Sequence, residues 1–264
     1  MGLIERLRRS GHIHDQVCDL FRNAGLESGR VLDIPGGDGV NAKRLAEGGY
    51  EVHATDFDLS ADRTGYSLTC CDMTSSLPFA DDSFDGVLHS EGIEHVDNQL
   101  SLLTELARVL RPGGVLVVTT PNIMHLEGRL STLLCGHAHP RRDIVAHPAA
   151  YWGATGKHTY YGHVFLINSY QLRFYLTEAG LDIRGVDTAR YSRNAVLLAP
   201  LLWLPVQWLT RRTIRHGRTP LPEEIQERLI SEVLSPALLY GRKLIMVATK
   251  PVQPVDRNAP NGHA

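Results

Sequence analysis

The residues best suited to chemistry sit in one short string, Val31-Leu32-Asp33-Ile34-Pro35-Gly36-Gly37-Asp38-Gly39. An apolar run gives way to glycines and then to a helical pattern, so the string reads as strand, turn and helix start. Glycines at such a turn let backbone approach a ligand that a Cβ would exclude, and the first turn of the helix offers N–H groups without partners. Asp56, 20 residues beyond Gly36, ends the next β-type run, where a carboxylate can accept both hydroxyls of a ribose. A dinucleotide site asks for Gly-x-Gly-x-x-Gly, but after Gly37-Asp38-Gly39 the third glycine position holds Ala42. Asp33 and Asp38 bracket the turn, and two carboxylates repel a pyrophosphate while suiting a cation. A sulfonium nucleoside with an amino-acid tail meets both demands.

These residues need strands and helices to hold them. Short β-branched runs at 30–34, 51–56, 67–70, 84–89 and 114–119 alternate with helical patterns at 41–47 and 100–110, as in a parallel sheet with crossover helices. Leu102, Leu103, Leu106, Val109 and Leu110 form one stripe of the second helix, which Arg111-Pro112-Gly113-Gly114 ends. Beyond Pro121 the stretch 122–166, rich in His, Gly and Pro, reads as a partly helical insertion on the substrate side. Ser169 caps a further helix closed by Gly180, and 181–190 and 243–249 are two more strands. Residues 191–240 are too many for a hairpin loop and form a second insertion.

The expected fold is therefore α/β, a Rossmann-like, mostly parallel seven-stranded sheet with an antiparallel edge strand near 243–249, helices on both faces and two partly helical insertions. It makes one domain over 1–250, with a core at 28–122, insertions at 123–168 and 191–240, and a disordered tail at 251–264. With 43% hydrophobic residues in 264, the chain can bury a large core. Its 27 basic against 29 acidic residues, net charge -2, provide no field for gripping a phosphate backbone, which excludes nucleic acid as a partner. Cys18, Cys70, Cys71 and Cys135 match neither a disulfide scaffold nor a zinc pattern, and the first nine residues carry arginines but no apolar run, so a cytoplasmic protein with reduced thiols is expected.

As an ordered ensemble, the motifs resemble the class I S-adenosylmethionine-dependent methyltransferases, in particular the type 11 kind that acts on small molecules. The resemblance runs from Val31 to Asn122 through VLDIPGGDG, Asp56, Cys71-Asp72-Met73, the string from Leu77 to Asp85, Glu94-His95-Val96 and Leu110-Arg111-Pro112-Gly113-Gly114, and returns in the helix-turn ending at Leu181. It implies that Asp33 and the turn of Pro35, Gly36, Gly37 and Gly39 hold the methionine moiety. Asp56 would hold the ribose, Phe57 flank the adenine, Asp72 beside Met73 accept from the adenine amino group, and His89 line the site near the sulfonium through its backbone. Pro35 departs from the family's usual glycine; it locks φ and deletes an N–H, so the turn is expected to lean on Gly36.

The catalytic candidates are His95, His163 and His125, since a neutral imidazole can take a proton from an acceptor hydroxyl. No metal is expected, because His137, His139, His147 and His158 lack carboxylate or thiolate partners at a ligand spacing. The expected reaction is O-methylation of a small molecule, a saccharide or a lipid-linked intermediate. The rivals are a non-catalytic cofactor-binding regulator or scaffold at a membrane surface and an NAD(P)-dependent oxidoreductase. The uncharged run AVLLAPLLWLPVQWLT, 195–210, holds two prolines that would break an ordinary helix, and arginines follow it. Over 195–218 it suits a lid, a homodimer contact or an in-plane anchor on the inner face of a membrane.

Overall fold

The computed structural model describes residues 7, 13–57, 65–138, 154–155, 158–159, 162–218 and 221–252. The proposed tail beyond 252 and part of the first insertion, 139–153, lie outside the described residues. In chain order the elements are α1 (Val17–Asn23), β1 (Arg30–Asp33), α2 (Val40–Glu47), β2 (Glu51–Asp56), β3 (Ser67–Cys70), β4 (Phe84–Ser90), α3 (Gln99–Val109), β5 (Leu110–Pro121), α4 (Leu126–Cys135), α5 (Ser169–Glu178), β6 (Asp182–Asp187), α6 (Arg193–Arg215), α7 (Glu223–Val233), α8 (Pro236–Tyr240) and β7 (Lys243–Thr249). Ala154–Thr155 and His158–Thr159 form a separate two-residue ladder.

The strands form one seven-stranded sheet in the order β3-β2-β1-β4-β5-β7-β6. β2 and β4 flank β1 in parallel, β3 adds to β2 and β5 to β4 in the same sense. Parallel neighbours need crossovers; α2 supplies the one from β1 to β2 and α3 the one from β4 to β5. β7 runs the other way. Gly113 N donates to Lys250 O at 2.7 Å while Asn122 N donates to Arg242 O at 3.0 Å, so residue numbers rise on one strand as they fall on the other. The antiparallel strand expected at 243–249 thus lies one place in from the edge that β6 forms.

Two compact units divide the chain, one of 13–120, 170–185 and 246–264, the other of 1–12, 121–169 and 186–245. The first is the cofactor-type core. Val31, Leu32, Ala54, Val87, Leu88 and Leu116 are wholly buried, and α3 turns Leu103, Leu106 and Val109 inward. Asn98 caps α3, its side-chain oxygen accepting from Ser101 N at 3.3 Å. β5 begins at Leu110, inside the string expected only to end the helix, because Gly113 reaches φ +81° and lets the strand continue. α1 went unassigned in the sequence, though Val17, Leu20 and Phe21 give it a buried stripe at helical spacing.

The second unit is mainly helical. Leu126 of α4, Ala195 of α6 and Leu239 of α8 make its buried centre, with Leu198, Leu202 and Val206 packed around it. Glu127 ties α4 to the start of α6, accepting from Ser192 Oγ and Asn194 Nδ2, each at 2.8 Å. Contrary to expectation, α6 runs unbroken through Pro200 and Pro205. Each interior proline costs about 3 kcal/mol of helix stability, which the burial of the stripe from Ala195 to Val206 offsets.

Candidate functional site

The C-terminal ends of β1, β2 and β4 converge where an open α/β sheet binds its ligand. Asp33 ends β1 with no exposed surface, and neither of its carboxyl oxygens has a hydrogen-bond partner. Burial, reinforced by the charge of Asp56, pushes its pKa up to about 8. A buried carboxylate without partners is costly, and a cation placed beside it removes that cost.

Next comes the turn. The Ile34–Pro35 peptide is cis, Gly36 N donates to Thr55 O at 2.7 Å, and Gly37 N donates to Asp56 Oδ2 at 2.7 Å. The left-handed backbone falls on Gly37 at φ +54° and Gly39 at φ +79°, the latter capping α2. Gly36 is needed for room instead, since a methyl group there would stand 3.2 Å from Ala54 Cβ and 3.4 Å from Thr55 O. A methyl at Gly37 would meet nothing within 4 Å, so this edge of the turn is open to a ligand.

Asp56, only 7% exposed, thus binds the glycine turn as well as ending β2. Phe57 follows it half-buried. Asp72 and Met73, also half-buried, lie in the turn after β3, where Cys71 N donates to Asp56 O at 3.0 Å. The Asp72 carboxylate caps its own turn, with Oδ1 accepting from Thr74 N at 2.9 Å and Thr74 Oγ1 at 2.7 Å. The structure therefore brings Asp33, Pro35, Gly36, Gly37, Gly39, Asp56, Phe57, Asp72 and Met73 to one end of the sheet.

His89 lies there too, but its side chain is a surprise. The ring is wholly buried and its Nδ1 donates to Ile34 O at 2.6 Å. Burial lowers its pKa to about 4, so the ring is neutral and Nε2 is left as a buried acceptor without a partner. A methyl at Gly92 would come within 2.6 Å of Pro35 Cδ and 2.8 Å of His89 Cε1. The imidazole thus buttresses the turn from behind.

His95 ends a short 3-10 helix, Ile93–His95, after β4 and is half-buried. Beside it Glu94 is fully buried, its Oε2 accepting from Thr120 Oγ1 at 3.0 Å. His125 and His163 belong to the other unit. His125 precedes α4, 5% exposed, with Glu127 Oε2 3.9 Å from its Nε2 and a pKa that burial brings down to about 4. His163 is half-buried in the stretch before α5.

One residue went unnoticed in the sequence. Glu91, just past β4, holds φ +53°, unusual for a side-chain-bearing residue, and is pinned by Glu91 N to Thr119 O at 3.0 Å and by Thr119 Oγ1 to its own Oε1 at 3.1 Å. Such strain gathers at ligand sites, and only its position between a strand end and Gly92 hinted at it.

Those features fit an S-adenosyl group: a buried unpartnered carboxyl for a cation, an open glycine edge for a close backbone approach and a strand-end aspartate for a ribose. Comparison with known proteins agrees. The family model described as a methyltransferase domain matches residues 32–118. A demethylmenaquinone methyltransferase of Mycobacterium sp. strain KMS is 44% identical over 172 residues, 62% of this chain and 68% of that protein. One of the same name from Renibacterium salmoninarum is 40% identical over 95 residues, 34% of this chain and 40% of that protein, so the matched stretch spans between two fifths and two thirds of these relatives. Among solved structures, a SAM-dependent methyltransferase from Archaeoglobus fulgidus shares the fold with a TM-score of 0.52 at 18% identity, covering 90% of this chain and 94% of that one. Sheet order, glycine turn and relatives together show that the chain belongs to the class I S-adenosylmethionine-dependent methyltransferases.

Proposed function

We propose that the protein methylates a lipid-soluble acceptor with a ring hydroxyl or an electron-rich ring carbon. The donor half of this reading is carried by Asp33, buried without partners beneath the glycine turn and next to Asp56. S-adenosylmethionine supplies an electrophilic methyl group when bound, so the protein's work is alignment and, for a hydroxyl acceptor, removal of a proton. Asp33 and the turn would hold the amino-acid end, Asp56 the ribose, and Phe57 and Asp72 the adenine. The acceptor half is supported by the name of the relatives, demethylmenaquinone methyltransferase, which points to an apolar ring.

The test is methyl transfer from radiolabelled S-adenosylmethionine to soluble and lipid fractions of a cell extract. Label in a lipid fraction, absent in Asp56→Ala, is the expected result. Label confined to the soluble fraction overturns the acceptor class. Calorimetric binding of S-adenosylhomocysteine with no label in either fraction points to a non-catalytic binder, and binding of NAD in its place overturns the donor.

A further inference from the structure

Helix α6 has two apolar faces, and among the described residues only one of them is packed. Between Ala195 and Thr210 it carries no ionisable side chain. Ala195, Leu198, Leu202 and Val206 pack on Leu126 and Leu239. On the other side Leu197, Leu201, Leu204 and Trp208 are 77%, 72%, 69% and 64% exposed. Single exposed leucines are ordinary, but these four follow i, i+4, i+7, i+11 and make one continuous stripe, flanked by exposed Trp203 and Leu209.

The next turn changes chemistry abruptly. Arg211, Arg212 and Arg215 are all exposed. Arg215 is neutralised by Glu227 of α7 at 2.7 Å. Arg211 is held by Gln207 and the Arg212 guanidinium lies 5.7 Å from the Trp208 ring centre, so neither is paired with a carboxylate among the described residues. An apolar stripe that ends in indoles and two unneutralised arginines is complementary to a surface with acyl chains below and phosphates above.

Alternatives fit less well. No helix among the described residues is long and apolar enough to cross a membrane. Pro200 and Pro205 also deprive the carbonyls of Val196 and Leu201 of their intrahelical donors, which water at an interface satisfies and a bilayer centre does not. A second copy docking face to face would offer no carboxylate from α6 to meet Arg211 and Arg212, because α6 contains none.

We propose that α6 lies in the plane of an anionic lipid surface, with Leu197, Leu201, Leu204 and Trp208 among the acyl chains and Arg211 and Arg212 on lipid phosphates. This holds whatever the methyl acceptor is. The experiment is flotation of the full chain with phosphatidylcholine vesicles, with and without phosphatidylglycerol. The chain is expected to float with the anionic vesicles and to be released by salt. Arg211→Gln with Arg212→Gln should weaken binding about 25-fold, from roughly fivefold per arginine. Leu201→Glu with Trp208→Glu should abolish it, while both double variants keep the wild-type circular dichroism and S-adenosylhomocysteine affinity. Wild type that fails to float, equal flotation of all three proteins, or a dimer in sedimentation that Leu201→Glu with Trp208→Glu splits would each overturn the proposal.

Discussion

Asp56 holds two posts at once. As a strand-end carboxylate it faces the place of a ribose, and as a turn acceptor it takes the amide of Gly37 at 2.7 Å. Asp56→Ala therefore removes a ligand contact and loosens the turn, and S-adenosylhomocysteine affinity measured by calorimetry should fall by about 30- to 160-fold, from 2–3 kcal/mol for charged hydrogen bonds. Asp56→Asn keeps an acceptor for Gly37 and should lose only about tenfold. Gly92→Ala probes packing instead. Its methyl would strike Pro35 Cδ and His89 Cε1, and overpacking of this kind should lower stability in urea by about 2 kcal/mol. Asp33, Asp56 and the glycines were legible because their work follows from position along a strand-turn-helix string. His89 was legible only as a neighbour of the site. That its ring turns inward to Ile34 O depends on a contact 55 residues away, which no local pattern carries.

Elements show the same division. The string from Leu77 to Asp85 stood out in the sequence without any chemistry to explain it, and the explanation is a clasp on α3. Arg108 Nη1 donates to Phe79 O and Asp81 Oδ1, each at 2.8 Å, and Nη2 to Leu77 O at 3.1 Å and Glu105 Oε2 at 2.9 Å. Glu105 in turn accepts from Leu77 N at 3.0 Å, and the Arg108 hydrogen bond holds its pKa down at about 2. Arg108→Ala leaves two loop carbonyls and Glu105 unpartnered by the guanidinium, so urea unfolding should show a loss of about 2–3 kcal/mol. A folded pKa below the unfolded one means that this stabilisation is complete above about pH 4.5 and disappears as pH falls toward about 2. Crossover order and strand spacing were readable because a parallel sheet repeats its pattern. The course of α6 was not, because two prolines argued locally for a break while the stripe packed on Leu126 and Leu239 decided for continuity.

Over the whole molecule these buried groups add up to one curve. The first unit holds Asp33 with a folded pKa of about 8 against an ordinary 3.8, so from about pH 4 to 8 the folded chain keeps a proton that the unfolded chain releases, and stability falls as pH rises. His89 in the same unit and His125 in the other have folded pKa values of about 4 against 6.5, so between those values the unfolded chain binds the extra protons and stability climbs with pH. Up to about pH 6.5 two histidines outweigh one aspartate, and beyond it the aspartate acts alone. The melting temperature should therefore peak near pH 6.5 and decline toward pH 8 by about 5 °C, from ~1.4 kcal/mol per proton and pH unit and about 2–4 °C per kcal/mol for a chain of this size. Asp33→Asn should flatten the alkaline side and steepen the acid side, where the histidines then act unopposed, whereas His89→Asn should make the acid side shallower. Saturating S-adenosylmethionine should also flatten the alkaline side, because a cation beside Asp33 lowers its pKa toward the unfolded value. A melting curve across pH that declines above pH 6.5 equally with and without the donor would show that Asp33 does not face its cationic end.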